Sequence, residues 1–501
     1  MKIVYNPGMT NLTPPPTPDR DVRRHEYLTV NIYYLGLTVL TQTLAPLVIP
    51  LLVQQFVGEE QQGRYFGIAR LGALMAALLA QALMGMLSDR CASRWGRRRP
   101  FVVAGTFACL AAVVGIGFSS GMAGMAGFWL LFVLYALQQM SANTAQSAVQ
   151  SLIPDLVPEK KRGIFSGIKA LFELPVPMVL VSFTIAPLIG AGKLWSGLAV
   201  LMGILFVVML LALTVSETPL RERPAPLDWR PFLRLVMMTA LFTSIILAMS
   251  EAVKVVGRML LGIESRPVLL LGMGVAGFVG MATTIVLGVR ACVRLSVGAQ
   301  AERQARSFIW WVTSRLAFLV GATNLAGFVL YYLQTRLGYT RESAAGPASR
   351  MMLMIGVAVL ATALPAGWLT DKFGRKGMVI LSGLIAGLGA LVTLFATHIN
   401  VIYVGGCVIG VATGIFYTAS WALGTSLISD AEAGRYLGLS NLAGAGAGAV
   451  GAYIGGPVAD FFTRYAPDAP GLGYVLLFVI YGLLFFLSSA MLLNVKVHTG
   501  D

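Results

Sequence analysis

GMLSDRCASRWGRRRP occupies residues 85–100 and places six charges, five arginines and one aspartate, between two apolar runs. The flanking runs cover residues 67–87 and 101–117. Runs of this length can cross most of the roughly 30 Å hydrocarbon layer of a bilayer as helices. Basic residues concentrate in the short loops that join such helices. The stretch therefore predicts a charged loop between two membrane-spanning helices.

The composition of the whole chain supports the same class of protein. Of 501 residues, 57% are hydrophobic and 12% are charged, and the mean hydropathy is +0.77. A soluble domain carries about 25% charged residues. The alternating pattern of a membrane β-barrel is missing from the sequence, so we predict an all-α integral membrane protein. Its net charge of +15 comes from basic residues in short loops, which predicts no nucleic-acid partner.

Little in the chain indicates catalysis or a cofactor. The four cysteines are scattered, and there are only three histidines, which predicts neither a disulfide framework nor a metal site. We find no phosphate-binding loop and no nucleophile motif. The sequence thus predicts that the protein is not an enzyme and holds no cofactor or metal. The proline- and arginine-bearing residues 1–26 predict a disordered cytoplasmic tail with no cleavable signal.

Apolar runs predict about 14 transmembrane helices. They fall near residues 28–53, 65–88, 101–120, 126–148, 164–189, 195–215, 232–250, 267–289, 307–332, 349–369, 378–397, 401–425, 437–457 and 473–494. This pattern predicts a first six-helix bundle (27–215), a linker with an inserted two-helix hairpin (216–306), a second six-helix bundle (307–495) and a short cytoplasmic tail (496–501). The run 232–250 carries Arg234 and could instead lie along the membrane interface as an amphipathic helix. Roughly two dozen loop bases on the side of the termini against about eight opposite predict that both termini are cytoplasmic.

The opening stretch has a second copy. GWLTDKFGRKG, residues 367–377, repeats its order of glycine, acid, base, glycine and two bases, and both copies follow the second helix of a six-helix set. SLIPD at 151–155 and SLISD at 426–430 each follow the fourth helix. Two repeats of six helices are typical of secondary transporters.

The paired loops resemble the signature of the major facilitator superfamily. This resemblance implies two six-helix bundles that rock about a central cavity, with the loops at the cytoplasmic gate. We expect Gly85 to permit close helix contact and Asp89 to accept hydrogen bonds from arginines or a helix N-terminus. The alternative is that these charges only orient the chain in the membrane. The predicted gate residues are Gly85, Asp89, Arg90, Gly96, Arg97 and Arg98, with Gly367, Asp371, Lys372, Gly374 and Arg375 in the second copy.

The first copy is the longer SDRCASRWGRRRPF form, which resembles the plant sucrose/proton symporters and their animal solute-carrier relatives. Asn143, Thr144 and Gln146, ahead of Asp155, resemble a further pattern of those symporters. The resemblance implies proton-coupled sugar transport. Gln139 and Gln150 stand where the symporters carry an acid and an arginine.

Polar side chains recur at helical spacing along several spans. On the fourth span they form one stripe, which suits a ligand rich in hydroxyl groups, although interhelical hydrogen bonds or ordinary packing are the alternatives. The predicted substrate-binding residues are Asn31, Tyr34, Thr38 and Gln42, then Tyr135, Gln139, Asn143, Gln146 and Gln150, and finally Asn324, Tyr417 and Trp421.

Charges inside predicted spans are costly and mark candidate sites. Lys169 and Glu173 lie four residues apart on one face of the fifth span, and Pro175 directly after them interrupts the helix. We predict that this pair couples transport to protons, with Arg315 as a further candidate. A structural ion pair, with Lys169 extending to the cytoplasm, is the alternative. Arg315 and Arg70 are weaker candidates than the pair, because each can lie within two turns of an interface and extend to it, and Arg315 is the better of the two.

These observations predict a secondary transporter of a small hydroxylated solute, a sugar or glycoside, moved by proton symport. The small-residue spacing at Gly444, Gly448, Gly451 and Gly455 predicts close contacts of a moving helix. Export of lipophilic or cationic compounds and a non-transporting scaffold on the same fold are the alternatives. The predicted partners are the solute, protons and membrane lipid, and the predicted location is the plasma (inner) membrane.

Overall fold

The fold is a bundle of long helices. The computed structural model describes residues 25–158, 161–215, 217, 227–298, 306–427, 433–466, 469 and 471–496. Over these residues it contains fourteen long helices and no strand. They are α1 Glu26–Val57, α2 Gln62–Ser88, α3 Arg99–Ser119, α4 Gly124–Gln150, α5 Ile164–Gly190, α6 Leu194–Ala212, α7 Arg230–Met259, α8 Arg266–Val297, α9 Arg306–Leu337, α10 Ala345–Phe373, α11 Arg375–Leu394, α12 Ile399–Ser426, α13 Ala433–Tyr465 and α14 Leu472–Leu492.

Each predicted span corresponds to one of these helices, so the predicted all-α membrane fold is confirmed. Thirteen of them are long and apolar enough to cross a membrane over the described residues, and α13, with 33 residues, is the fourteenth. We call α1–α6 the first half, α9–α14 the second half and α7–α8 the hairpin. The side of the membrane where α1 begins and α14 ends is the terminal side, and the opposite side is the distal side.

The hairpin is formed by two full-length helices. α7 has 30 residues, which is about 45 Å at 1.5 Å per residue, and Arg234 lies in its second turn. This length fits a membrane span rather than a short interfacial helix. The hairpin packs against the second half, where the Ser250 hydroxyl donates to the Tyr453 carbonyl of α13 at 3.1 Å. The ring of Phe242 lies where a side chain on Gly446 would otherwise be.

The two halves touch on the distal side, where α2 packs on α13. A Cβ placed on Gly67 would lie 2.5 Å from the Ala452 carbonyl oxygen, and one placed on Gly456 would lie 2.1 Å from that of Gly63. Backbones can approach this closely only without side chains. Towards the terminal side, a Cβ on Gly444 of α13 would meet nothing within 4 Å. The space between the halves, which we call the cleft, therefore opens to the terminal side.

Proline interrupts two helices of the first half. Leu174, directly before Pro175, has φ −122° and ψ −80°, so α5 breaks there as the sequence predicts. Farther along, the segment Val181–Ile185 has π-helical hydrogen bonding. α1 contains a similar π-helical segment, Leu44–Val48, which includes Pro46. Such wide turns accommodate the hydrogen bond that proline cannot make.

Candidate functional site

The first motif copy is organised around Arg98, whose residue is only 3% exposed. Its guanidinium makes an ion pair with Asp89 at 2.5 Å and another with Asp155 at 3.1 Å, and it donates to the Ser88 hydroxyl at 2.7 Å. Arg97 also pairs with Asp155. A buried arginine with two carboxylates is an electrostatically satisfied group. The loop thus connects the ends of α2 and α4 to the start of α3 within one half.

Gly96 and Glu217 fix the backbone of the same loop. Gly96 has φ +110°, and a Cβ there would lie 2.6 Å from the Glu217 carboxylate. That carboxylate accepts a hydrogen bond from the Arg98 amide at 2.8 Å. Arg99 donates to the Val215 carbonyl at 2.5 Å. The loop is therefore also tied to the chain that follows α6, a contact that the sequence analysis missed.

The second copy has the same residue types but fewer contacts. Asp371 is exposed and has no ion pair with any residue that the structure describes. The guanidinium of Arg375 donates to the Ala422 carbonyl at 3.4 Å, and the Lys372 ammonium lies 5.1 Å from the centre of the Trp368 ring. Gly374 has φ +85° where α10 gives way to α11. Among the described residues the two copies thus differ in their contacts, while Asp430, the counterpart of Asp155, lies outside those residues.

The predicted close helix contact at Gly85 is wrong for this conformation. A Cβ on Gly85 would have only the Ser147 Cβ within reach, at 4.0 Å, and one on Gly367 only a Thr418 methyl at 3.9 Å. Both distances are ordinary van der Waals separations. Arg90 of the same motif is half-buried.

On the distal side, hydrogen bonds join the two halves; we call this set of contacts the distal seam. The Asp460 carboxylate of α13 accepts from the backbone amides of Gly63 and Arg64 at 2.8 and 2.7 Å. These amides lie in the first turn of α2, where Gln61 provides no side-chain cap. Asp460 therefore caps a helix of the other half, and its carboxylate interacts favourably with the positive end of that helix dipole.

Four further hydrogen bonds belong to the seam. They are Gln54 to Gln334 at 2.9 Å, Gln62 to Tyr474 at 2.9 Å, Ser182 to the Ser349 carbonyl at 2.8 Å and Tyr331 to the Pro50 carbonyl at 2.9 Å. None of these residues was predicted to join the halves, because no sequence motif marks a partner several hundred positions away. Among the described residues, the hydrogen bonds between the two halves all lie in the distal half of the membrane.

Lys169 and Glu173 form the ion pair predicted from their spacing, with Nζ and Oε1 3.4 Å apart. The Lys169 ammonium lies 4.4 Å from the centre of the Tyr34 ring, a cation–π contact between α5 and α1. The Glu173 side chain is 39% exposed, so its carboxylate is not enclosed by the protein. The pair lies immediately before the break of α5 at Leu174.

Arg315 of α9 lies between aromatic rings of two helices. Its Cζ atom is 5.9 Å from the centre of the Trp311 ring and 5.8 Å from that of Trp421. Among the described residues, its guanidinium donates one hydrogen bond, to the Ser420 hydroxyl at 3.5 Å, and its buried Nε has no acceptor. Tyr417 and Trp421 are 46% and 45% exposed beside it. The predicted residues of α9 and α12 are thus brought together.

Arg70 of α2 reaches across to α9 instead of extending to an interface. Its guanidinium donates to the Asn324 side-chain oxygen at 3.3 Å and to the Thr323 carbonyl at 3.1 Å. Asn324 is fully buried, and its amide donates to the Ala447 carbonyl at 3.1 Å. Asn324 therefore holds helices together here, although the sequence predicted a substrate ligand. The contact of Arg70 with α9 was not predicted, because the sequence cannot show which helix faces this side chain.

The stripe on α4 is partly accessible. Gln139, Asn143 and Gln146 are half-buried, whereas Tyr135 is 3% exposed. Asn143 donates to the Gln139 carbonyl of its own helix at 2.8 Å. The exposed Gln150 accepts from Gln81 of α2 at 3.2 Å. The stripe therefore offers amide groups at several depths, and part of their capacity serves helix contacts.

The α1 residues divide in a similar way. Asn31 is fully buried, and its amide donates to the Tyr27 carbonyl at 3.2 Å. Tyr34 is also buried, and its hydroxyl has no hydrogen-bond partner. Thr38 and Gln42 are half-buried. Among the residues that the structure describes, no group of histidines, cysteines or carboxylates could hold a metal ion.

The family follows from comparison with known proteins. The model of the Major Facilitator Superfamily matches residues 28–301 and 311–499, which is most of the chain. The chain belongs to this superfamily of membrane transporters. The match includes both motif loops and both halves, and it begins and ends close to the described helices.

The chain is similar to curated transporters over short segments. It is 34% identical to a sucrose transport protein of Oryza sativa subsp. japonica over 98 residues, which cover 16% of this chain and 18% of the relative. It is 31% identical to the minor myo-inositol transporter IolF of Bacillus subtilis (strain 168) over 125 residues, 25% and 27% of the two chains. The chain thus spans about a fifth to a quarter of the length of these relatives.

Solved structures show the same fold over nearly the full length. The D-xylose-proton symporter structure matches with a TM-score of 0.62 at 17% identity, covering 95% of this chain and 99% of that one. The peptide transporter POT in complex with sulfate matches with a TM-score of 0.62 at 15% identity, covering 96% and 98%. At this identity the likeness concerns the fold alone.

Proposed function

We propose that this superfamily member transports a small hydroxylated solute, a sugar or a sugar derivative, by alternating access and in symport with protons. The observation that carries the proposal is the grouping of Arg315 and Trp421 on α9 and α12, together with half-buried amides along α4. Aromatic faces and amides suit a solute that has both apolar ring faces and hydroxyl groups. The named activities of the sucrose, inositol and xylose transporters support the same solute class.

Lys169 and Glu173 are our candidates for proton coupling. Glu173 is partly exposed, lies beside a base at 3.4 Å and precedes the break in α5. A carboxylate that exchanges between an ion pair and a protonated state can link a proton to a change in helix position. In this proposal Glu173 takes up a proton from one side of the membrane and releases it to the other, and Lys169 stabilises the charged form of Glu173.

The proposed orientation places the terminal side in the cytoplasm of a plasma (inner) membrane. The basic loops around Arg98 and Arg375 lie on that side, in agreement with the positive-inside rule. In this orientation the cleft faces inward. We propose that the charged loops of both motif copies form the cytoplasmic gate when the cleft closes.

Uptake into liposomes tests the function. Purified protein is reconstituted, and the uptake of labelled glucose, xylose, sucrose and myo-inositol is measured with and without an inward proton gradient. We expect saturable uptake of at least one solute, with accumulation only under the gradient. The absence of uptake of every solute of this class would refute the proposed solute class.

A variant separates coupling from binding. Glu173→Gln should abolish gradient-driven accumulation while keeping exchange of solute between the two sides, because exchange needs no net proton movement. Glu251→Gln is the matched control, since Glu251 is an exposed carboxylate on the hairpin. Accumulation by Glu173→Gln at the parent rate would refute the coupling role.

A further inference from the structure

We infer that the central site takes an anionic solute, a hydroxylated carboxylate of the sugar-acid class, with Arg315 binding the carboxylate. The inference rests on the proposed transport function and narrows its substrate class. It contradicts the export of cationic compounds.

Positive charge is in excess in the membrane-spanning part of the two halves. Arg70, Lys169 and Arg315 are cations in the membrane-spanning part of the two halves, and Glu173 is the carboxylate among them. The ion pair between Lys169 and Glu173 neutralises both. Two guanidinium groups remain, and neither has a carboxylate within ion-pair distance in the part of the chain that the structure describes.

The nearby carboxylates are already committed elsewhere. Asp89 and Asp155 pair with arginines of the first motif copy at the terminal surface. Asp460 accepts from two amides of α2 in the distal seam. A cleft whose uncompensated groups have one sign concentrates the opposite charge, because the low-dielectric walls focus the field.

The hydrogen bonding of Arg315 is incomplete among the described residues. A guanidinium has five donor hydrogens in a planar fork that matches a carboxylate. Arg315 uses one of them in a long bond of 3.5 Å to Ser420, and its buried Nε has no acceptor. The Trp311 and Trp421 faces stabilise its charge but accept no conventional hydrogen bond. A bidentate carboxylate would supply what this environment lacks.

The position of Arg315 fits a solute with a ring and an acid. It lies nine residues from the start of α9, about 14 Å along a helix of about 48 Å and therefore in its terminal-side half. Trp421 is 45% exposed at 5.8 Å from its Cζ atom. A pyranose ring stacked on this indole would hold a carboxylate substituent within reach of the guanidinium.

Arg70 has a different place in this arrangement. Its partners Thr323 and Asn324 follow Arg315 by eight and nine residues, about 12 to 14 Å farther along α9. A small solute bound to Arg315 does not touch Arg70 as well. Arg70 contributes long-range attraction at the closed end of the cleft, while Arg315 provides the direct contact.

Paired solutes test the inference. Reconstituted protein is given labelled glucuronate and gluconate, and in parallel glucose and sucrose, under the same inward proton gradient. We expect uptake of an acid to exceed that of the neutral sugars by at least about 10-fold, the effect of losing a charge-assisted hydrogen bond. In detergent, the acid and not glucose should raise the Tm of the protein, since a ligand that binds the native state stabilises it.

Variants identify the contact. Arg315→Gln should raise the KM for the acid about 10- to 100-fold, Arg315→Lys should restore part of the affinity, and Trp421→Ala should weaken binding without altering the preference for acid over neutral sugar. Arg294→Gln, an exposed arginine at the end of α8, is the matched control and should behave like the parent. Elution as a single species in size-exclusion chromatography checks folding.

The outcomes separate this inference from the proposed function. Equal or faster uptake of the neutral sugars, or unchanged affinity for the acid in Arg315→Gln, would overturn the inference and leave sugar transport intact. An acid that raises the Tm in an Arg315-dependent manner without any uptake would support the site and refute transport of this class. If no acid binds or enters, the inference is wrong.

Discussion

Replacing Asp460 with alanine is expected to open the distal seam. In the closed seam, this carboxylate accepts two amide hydrogen bonds from α2 at 2.8 and 2.7 Å. Hydrogen bonds to a charged group contribute about 1.5–3 kcal/mol each, so the pair contributes about 3–6 kcal/mol. The cost of burying the carboxylate offsets about half of that sum.

The net loss of about 1.5–3 kcal/mol acts only on the conformation with a closed seam, because the bonds are absent once the halves separate. The population ratio of distal-closed to distal-open protein should therefore fall about 10- to 150-fold. Asp460→Asn keeps one acceptor oxygen of similar shape, so its shift should be smaller than that of alanine.

Spin-label distances measure this ratio. Met122 and Phe395 lie in distal loops of opposite halves, are 39% and 80% exposed, and can be replaced by labelled cysteines after the four native cysteines are changed to serine. Asp460→Ala should add a population at longer distance. Glu251→Ala removes an exposed carboxylate of the hairpin and should leave the distances unchanged. Identical distributions for Asp460→Ala and its parent would show that the cap does not hold the seam.

Three other substitutions follow from the contacts of the two motif copies and of α2. Arg98→Gln removes a buried cation from two partly exposed carboxylates, of which Asp155 keeps Arg97, and should cost about 1–3 kcal/mol, seen as a lower Tm, whereas Arg375→Gln should change the Tm little. Gly67→Val places a side chain against the α13 backbone and should favour distal opening in the same distance measurement, whereas Gly444→Val should not. Gly96→Ala forces a positive φ on alanine beside a carboxylate and should cost about 1–3 kcal/mol, again read from the Tm.

The helices could be predicted from sequence because an apolar run of about 20 residues has few options in a bilayer. The hairpin shows where this reasoning weakens. Arg234 left α7 open to an interfacial interpretation, which the 30-residue helix resolves. The ion pair of Lys169 and Glu173 could also be predicted, because helical spacing fixes which neighbours meet.

Contacts between distant helices could not be predicted. Asp460 binds an amide 397 residues earlier in the chain, and nothing in its local sequence marks that partner. The amides of Asn31 and Asn324 were predicted to face a solute, but both are buried and donate to carbonyls four residues back in their own turns. Short polar side chains have this local alternative in any helix. Similar motif sequences also give different contacts among the described residues. Asp89 forms an ion pair with Arg98, whereas Asp371, at the equivalent position, forms none with a described residue.

The hairpin makes the two moving bodies unequal in membrane cross-section. α7 and α8 attach to α13 through contacts such as Ser250 with Tyr453, so the second body displaces lipid as eight helices and the first as six. Drag in a bilayer grows with the area of the embedded object. The six-helix body should therefore make most of the tilt relative to the lipid, while the eight-helix body serves as the more stationary reference. The distal tip of the hairpin, residues 260–265, is accordingly the best place to attach a rigid marker for imaging that motion.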